Sequence, residues 1–69
     1  MKSDLGQILK ERRKQLGITQ RHLAELAEVN YNTVYKIETG QVSPTVELLA
    51  KLITVLGMEL KLEVKKVNE

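Results

Sequence analysis

Thr19–Gly40, TQRHLAELAEVNYNTVYKIETG, is the stretch whose reading decides the fold. Thr19 has the side-chain oxygen that a helix N-cap needs, and Leu23, Leu26 and Ala27 follow it at helical spacing as a packing face. Asn30 is a second cap, followed by Val34 and Ile37 before Gly40 ends the pattern. Two short helices separated by a break of roughly three or four residues make a helix-turn-helix. Ala24 lies beside the turn, where a small side chain lets the helices approach closely, and Val29 plugs it. A helical wheel of the second helix puts Asn30, Val34 and Ile37 on its inner side, with Glu38 falling toward them. Its outer arc holds Tyr31, Asn32, Tyr35, Lys36 and Thr39. All of these outer residues can donate a hydrogen bond and none is acidic, which is what a surface laid into the major groove of double-stranded DNA requires.

The flanking segments add helices. Upstream, Leu5 to Leu16 has helical periodicity, with Ser3 or Asp4 as cap and Gly17 as terminator. Leu5, Leu9 and Leu16 share one arc with Ile8 at its edge, while Lys10, Glu11 and Lys14 face away. Arg12 and Arg13 flank the stripe, so one of them is expected to be partly buried and to need an acidic partner. Downstream, Pro44 closes the loop that starts at Gln41, and Thr45 caps a helix running to Leu56 and ended by Gly57, with Glu47 in its first turn. Val46, Leu49, Ile53 and Leu56 form one side of it, and Leu48, Leu52 and Val55 extend the apolar arc beyond what one small core needs. Either this helix is central in the monomer or its extra side meets a second subunit, and the short chain favours the second.

Met58–Lys65 changes period, alternating apolar and charged residues, so a strand is predicted with Met58, Leu60, Leu62 and Val64 on its buried face. No other segment reads as a strand, so its natural partner is the same strand of a second chain. Pairing centred on Leu62 sets Glu59 against Lys65 and Lys61 against Glu63, whereas centring on Lys61 opposes like charges. The expected architecture is mainly α, a bundle of four to five short helices with one C-terminal β-strand pairing across a homodimer. Residues 1–57 form the DNA-binding domain, and 58–69 the dimerisation tail.

Composition bounds the function. At 69 residues the chain is one domain with a small core, and it has no cysteine for disulfides or thiolate metal sites. MKSDLGQILKERRK is not a signal peptide, and no apolar run approaches membrane-spanning length. The expectation is a cytoplasmic protein with no membrane partner, associated with the nucleoid when bound to DNA. The net charge of +2 lies entirely in residues 1–44, which suits a polyanionic partner. Nothing suggests an enzyme or a cofactor. His22 is the lone histidine, the four glycines make no phosphate loop, and Glu59 with Glu63 is a solvated strand face.

With these residues placed, the chain resembles the phage-repressor helix-turn-helix proteins of the Cro/CI or XRE family. The pieces that carry the resemblance are LGQILKERRKQLGITQ, LAELA, VNYNTVYKIETG and SPTVELLAKLITVLG, spanning Leu5 to Gly57. The resemblance implies a lambda-repressor-like bundle and a buried structural ion pair between Arg13 and Glu38. The tail, Leu-Gly-Met-Glu-Leu-Lys-Leu, is similar to that of HipB-like antitoxins, whose strands pair across a dimer and which repress their own operon and bind a kinase toxin. Two departures stand out: Glu28 occupies a turn position where the family usually has glycine, and His22 stands where a glutamate often completes a capping box.

Carried over residue by residue, the resemblance implies that Tyr31, Asn32 and Lys36 reach base edges. Gln20 touches the DNA backbone and orients the readers. Arg21, Thr33, Thr39 and Gln41 are candidates for phosphate contacts, with Tyr35 at the edge of the arc. A two-fold dimer of this kind binds an inverted repeat. The alternative is a protein-interaction module that uses the same scaffold to neutralise a partner without binding DNA.

Overall fold

Four helices make up the regular structure of residues 4–64, the part of the chain that the computed structural model describes: α1 (Leu5–Gln15), α2 (Gln20–Ala27), α3 (Tyr31–Glu38) and α4 (Val46–Val55). Side-chain caps start three of them. Thr19 Oγ1 accepts from the His22 N–H (2.9 Å), Asn30 Oδ1 from the Asn32 N–H (2.7 Å), and Thr45 Oγ1 from the Leu48 N–H (3.1 Å). At α1 the cap position falls to Asp4, whose side chain makes no capping bond. Ser3, the other candidate, lies outside the described residues.

All four helices stop in the same way, with two N–H groups folding back onto carbonyls of the last turn. In α4 these are Met58 to Ile53 (2.8 Å) and Gly57 to Thr54 (3.2 Å); in α2 they are Val29 to Ala24 (2.9 Å) and Glu28 to Glu25 (3.2 Å). The motif needs a left-handed residue. Glycine supplies it at Gly17, Gly40 and Gly57, whereas Glu28 adopts φ 59° without that freedom.

The core is built from Leu9 of α1, Leu23, Ala24 and Ala27 of α2, Val34 and Ile37 of α3, and Leu49, Leu52, Ile53 and Leu56 of α4 and its cap. α2 packs against both α3 and α4, while α1 packs on α3. That arrangement corrects several expected faces. The buried arc of α2 centres between Leu23, Ala24 and Ala27, so Leu26 lies roughly 100° off it and is 52% exposed. Leu16 is a cap residue at the surface, and Ile18 packs against the core just beyond it. Ile8 is exposed, and Val46, at the first position of α4, is 72% exposed.

Leu52, expected on an intersubunit face, is instead 0% exposed within the single chain. It lies beside Leu56 at the edge of the α4 arc that also holds Leu49 and Ile53, and that edge is covered within the protomer's own core. Leu48 and Val55 are half-buried at the margins of that core. Residues 58–64 form no strand among the described residues. Met58 packs against the core, but Leu62 and Val64 are 93% and 99% exposed. A two-stranded ladder needs backbone partners from a second chain, and a single chain offers this segment none. Lys61 contacts Glu59 at 3.8 Å along the segment; Lys65, the other end of the expected register, lies outside the described residues.

Besides Leu9 in the core, close packing at Gly6 and a hydrogen bond from Arg12 help tie α1 into the bundle. Gly6 is buried where α1 crosses the end of α3, and a Cβ there would collide with the Ile37 carbonyl oxygen. Arg12 Nε donates to the Leu56 carbonyl (2.8 Å), satisfying an orphan acceptor at the negative end of α4.

Candidate nucleic-acid interface

The interface rests on a buried polar knot. Arg13 of α1 donates from Nε to Glu38 Oε2 (2.7 Å) and from Nη2 to Glu38 Oε1 (2.9 Å), a bidentate pair with both side chains almost wholly buried. Its third nitrogen, Nη1, donates to the Ile18 carbonyl in the turn before α2 (2.8 Å). Gln20, the first residue of α2, donates from Nε2 to Glu38 Oε1 (2.9 Å). The Arg13–Glu38 pair therefore ties together α1, the α1–α2 turn, the start of α2 and the end of α3. Among the described residues no buried side-chain nitrogen or oxygen lacks a partner, so the pair avoids the penalty of an unsatisfied buried charge.

The knot has an electrostatic consequence for α3. Glu38 is the helix's single acid, and its charge is turned inward and neutralised by Arg13. What α3 presents outward is Asn32, Tyr35 and Lys36, all exposed, with Thr33 half-buried beside them. Lys36 is thus the one charge on the presented face, and it is positive. The amide of Asn32 carries the donor and acceptor pair that matches an adenine edge, and a lysine ammonium donates to guanine acceptors. The Asn30 cap fixes the first turn from which Asn32 projects.

Tyr31 is placed differently from these two. It is half-buried and packs against the core, and the Arg21 guanidinium sits over its ring at 4.5 Å from the centroid. The stack joins the start of α2 to the start of α3. Sequence periodicity gave no sign of this stack, because it joins two helices.

The remaining candidates divide by position. Gln20 has its amide committed to Glu38, an orienting role within the protein. Thr39 Oγ1 donates to the Tyr35 carbonyl (2.8 Å) and accepts from Gln41 Nε2 (3.0 Å). Both side chains are engaged at the carbonyl end of α3, where the helix dipole disfavours an anion. The carbonyl end of α3 is thus a poor place for a phosphate, so the backbone candidates with the better placement are Arg21 and Thr33.

Comparisons with known proteins agree with this geometry. A helix-turn-helix family model matches residues 9–62. The chain is 40% identical over 55 residues to the HTH-type transcriptional regulator PuuR of Escherichia coli, covering 80% of this chain and 30% of that protein. It is 38% identical over 52 residues to an HTH-type transcriptional regulator of Methanothermobacter thermautotrophicus, covering 75% of each. A third regulator, from Haemophilus influenzae, is 42% identical over 50 residues, covering 72% of this chain and 51% of that one. The chain thus spans less than a third of PuuR and three quarters of the archaeal regulator. No helix among the described residues is long and apolar enough to cross a membrane. Matched over most of its length by the family model and by these regulators, the chain belongs to the XRE-type helix-turn-helix family of DNA-binding proteins.

Proposed function

We propose that this protein is a sequence-specific regulator of transcription that binds an inverted repeat in double-stranded DNA as a homodimer and represses its own operon. The observation that carries the proposal is the α3 surface: Asn32 and Lys36 exposed on one face, with the helix's only acid buried against Arg13. Asn32 and Lys36 read base edges in the major groove, while Arg21 and Thr33 contact phosphates and set the register. Residues 58–69 form the dimerisation tail, supported by the alternating pattern and by the exposure of Leu60, Leu62 and Val64, which a second tail would cover.

The similarity of the tail to HipB-like antitoxins supports a narrower reading, in which the protein is the antitoxin of a toxin–antitoxin pair and also binds a kinase-like toxin. A mobility shift on the DNA upstream of the protein's own reading frame tests the DNA-binding part. Retention at low salt that weakens steeply as salt rises is the expected result. No retention at low salt favours a protein-interaction module on this scaffold that neutralises a partner without DNA. An adjacent kinase-like reading frame, whose product co-purifies with this protein, is the expected sign of the antitoxin role.

A further inference from the structure

We propose that Tyr31 is a positioning residue, an aromatic platform that holds Arg21 aimed at a DNA phosphate, rather than a reader of bases. The proposal rests on the DNA-binding reading above and deepens it by assigning the coupling between α2 and α3.

Arg21 stands at the second position of α2, where the helix dipole is positive and a cation is unfavourable. No acid lies in the first turn of α2 to offset it, and among the described residues no acid forms a salt bridge with the guanidinium. Its recorded contact is with the Tyr31 ring, 4.5 Å from the centroid. A cation–π contact of this geometry leaves the edge nitrogens of the guanidinium open to an anion while restricting the side chain's many rotamers. The same helix end that repels Arg21 attracts a phosphate, so an anion bound there is favoured by backbone N–H groups and by the cation together.

Tyr31 is equally constrained. Its ring is half-buried and packed on the core, with one face taken by Arg21. A ring so held has little freedom to stack on a thymine methyl. It is a rigid surface against which a flexible cation is ordered before DNA arrives, which reduces the entropy lost on binding.

Binding titrations at two or more salt concentrations, on the upstream DNA and on random DNA, test this with Tyr31→Phe, Tyr31→Leu, Arg21→Ala and the Tyr31→Leu/Arg21→Ala double variant. Tyr31→Phe keeps the ring and is expected to bind within about twofold of the unmodified protein. Tyr31→Leu keeps an apolar body for the core but removes the π face, and is expected to lose about two- to fivefold on both DNAs alike. In the Arg21→Ala background the same change is expected to have almost no further effect. A loss in Tyr31→Phe as large as in Tyr31→Leu, a loss confined to the upstream site, or additive losses in the double variant would each overturn the proposal. Melting curves confirm that each variant is folded.

Proton NMR of the DNA-free protein supplies an independent readout. The Arg21 δ-methylene protons should show an upfield ring-current shift that persists in Tyr31→Phe and disappears in Tyr31→Leu. No such shift in the unmodified protein overturns the platform. Failure to bind any DNA, with the ring-current shift intact, overturns the DNA-binding reading and with it the role of the stack.

Discussion

At Glu28 the backbone takes a left-handed conformation that glycine supplies at the ends of the three other helices. The Cβ of a non-glycine residue there costs roughly 1–2 kcal/mol, partly offset in any glycine variant by the extra freedom of its unfolded chain. Glu28→Gly is therefore expected to stabilise the fold by about 1 kcal/mol, a rise in melting temperature of roughly 4–8 °C for a chain of this size. A melting temperature that is unchanged or lower would show that the Glu28 side chain contributes something the turn geometry does not reveal. On the α3 face, Asn32→Ala is expected to cost about 1–3 kcal/mol at the preferred site and to relax preference at one base pair. Arg21→Ala, by contrast, should weaken binding to all sequences and lower the salt slope by about 0.9. Equal losses from both variants on random DNA, measured by fluorescence anisotropy, contradict that division of roles.

At the scale of elements, what could be anticipated from sequence were the features written in neighbouring residues. Thr19, Asn30 and Thr45 cap their helices because an N-cap is a local bond spanning two or three positions. The stops at Gly17, Gly40 and Gly57 are local for the same reason. What stayed hidden depends on how helices meet. Periodicity placed Leu26 on the packed face of α2, but which arc is buried is set by α3 and α4 together. The same limit applies to Leu52, where a wide apolar stripe suggested a second subunit and the protomer's own core takes the residue instead. On the interface, the helical wheel placed Asn32 and Lys36 outward, whereas the Arg21–Tyr31 stack and the Gln20–Glu38 bond join separate helices and carry no periodic signal. Gly6 was silent too, because its meaning lies in the closeness of the α3 carbonyls. Gly6→Ala is a favourable change in an isolated helix, yet here the methyl group must displace backbone. It is expected to destabilise by about 1–3 kcal/mol, and a denaturant midpoint at or above that of the unmodified protein would contradict the close α1–α3 crossing.

For the whole molecule, the tail bears on how two copies are arranged. Leu60, Leu62 and Val64 are exposed in the single chain, and the alternating charges beside them favour a Leu62-centred pairing of two tails. Reversing Glu59 and Glu63 to lysine should weaken the dimer in sedimentation equilibrium, with partial recovery when Lys61 and Lys65 are also reversed. Dimer strength unmoved by either change would rule that register out. Such a dimer repeats the α3 face about a two-fold axis, and the DNA it prefers must carry the same symmetry. Selection from a random-sequence DNA library at low salt tests this most directly. The account predicts enrichment of an inverted repeat whose half-sites lie about one helical turn, roughly 10–10.5 base pairs, or a multiple of it apart. Recovery of a library no different from the starting pool would contradict it.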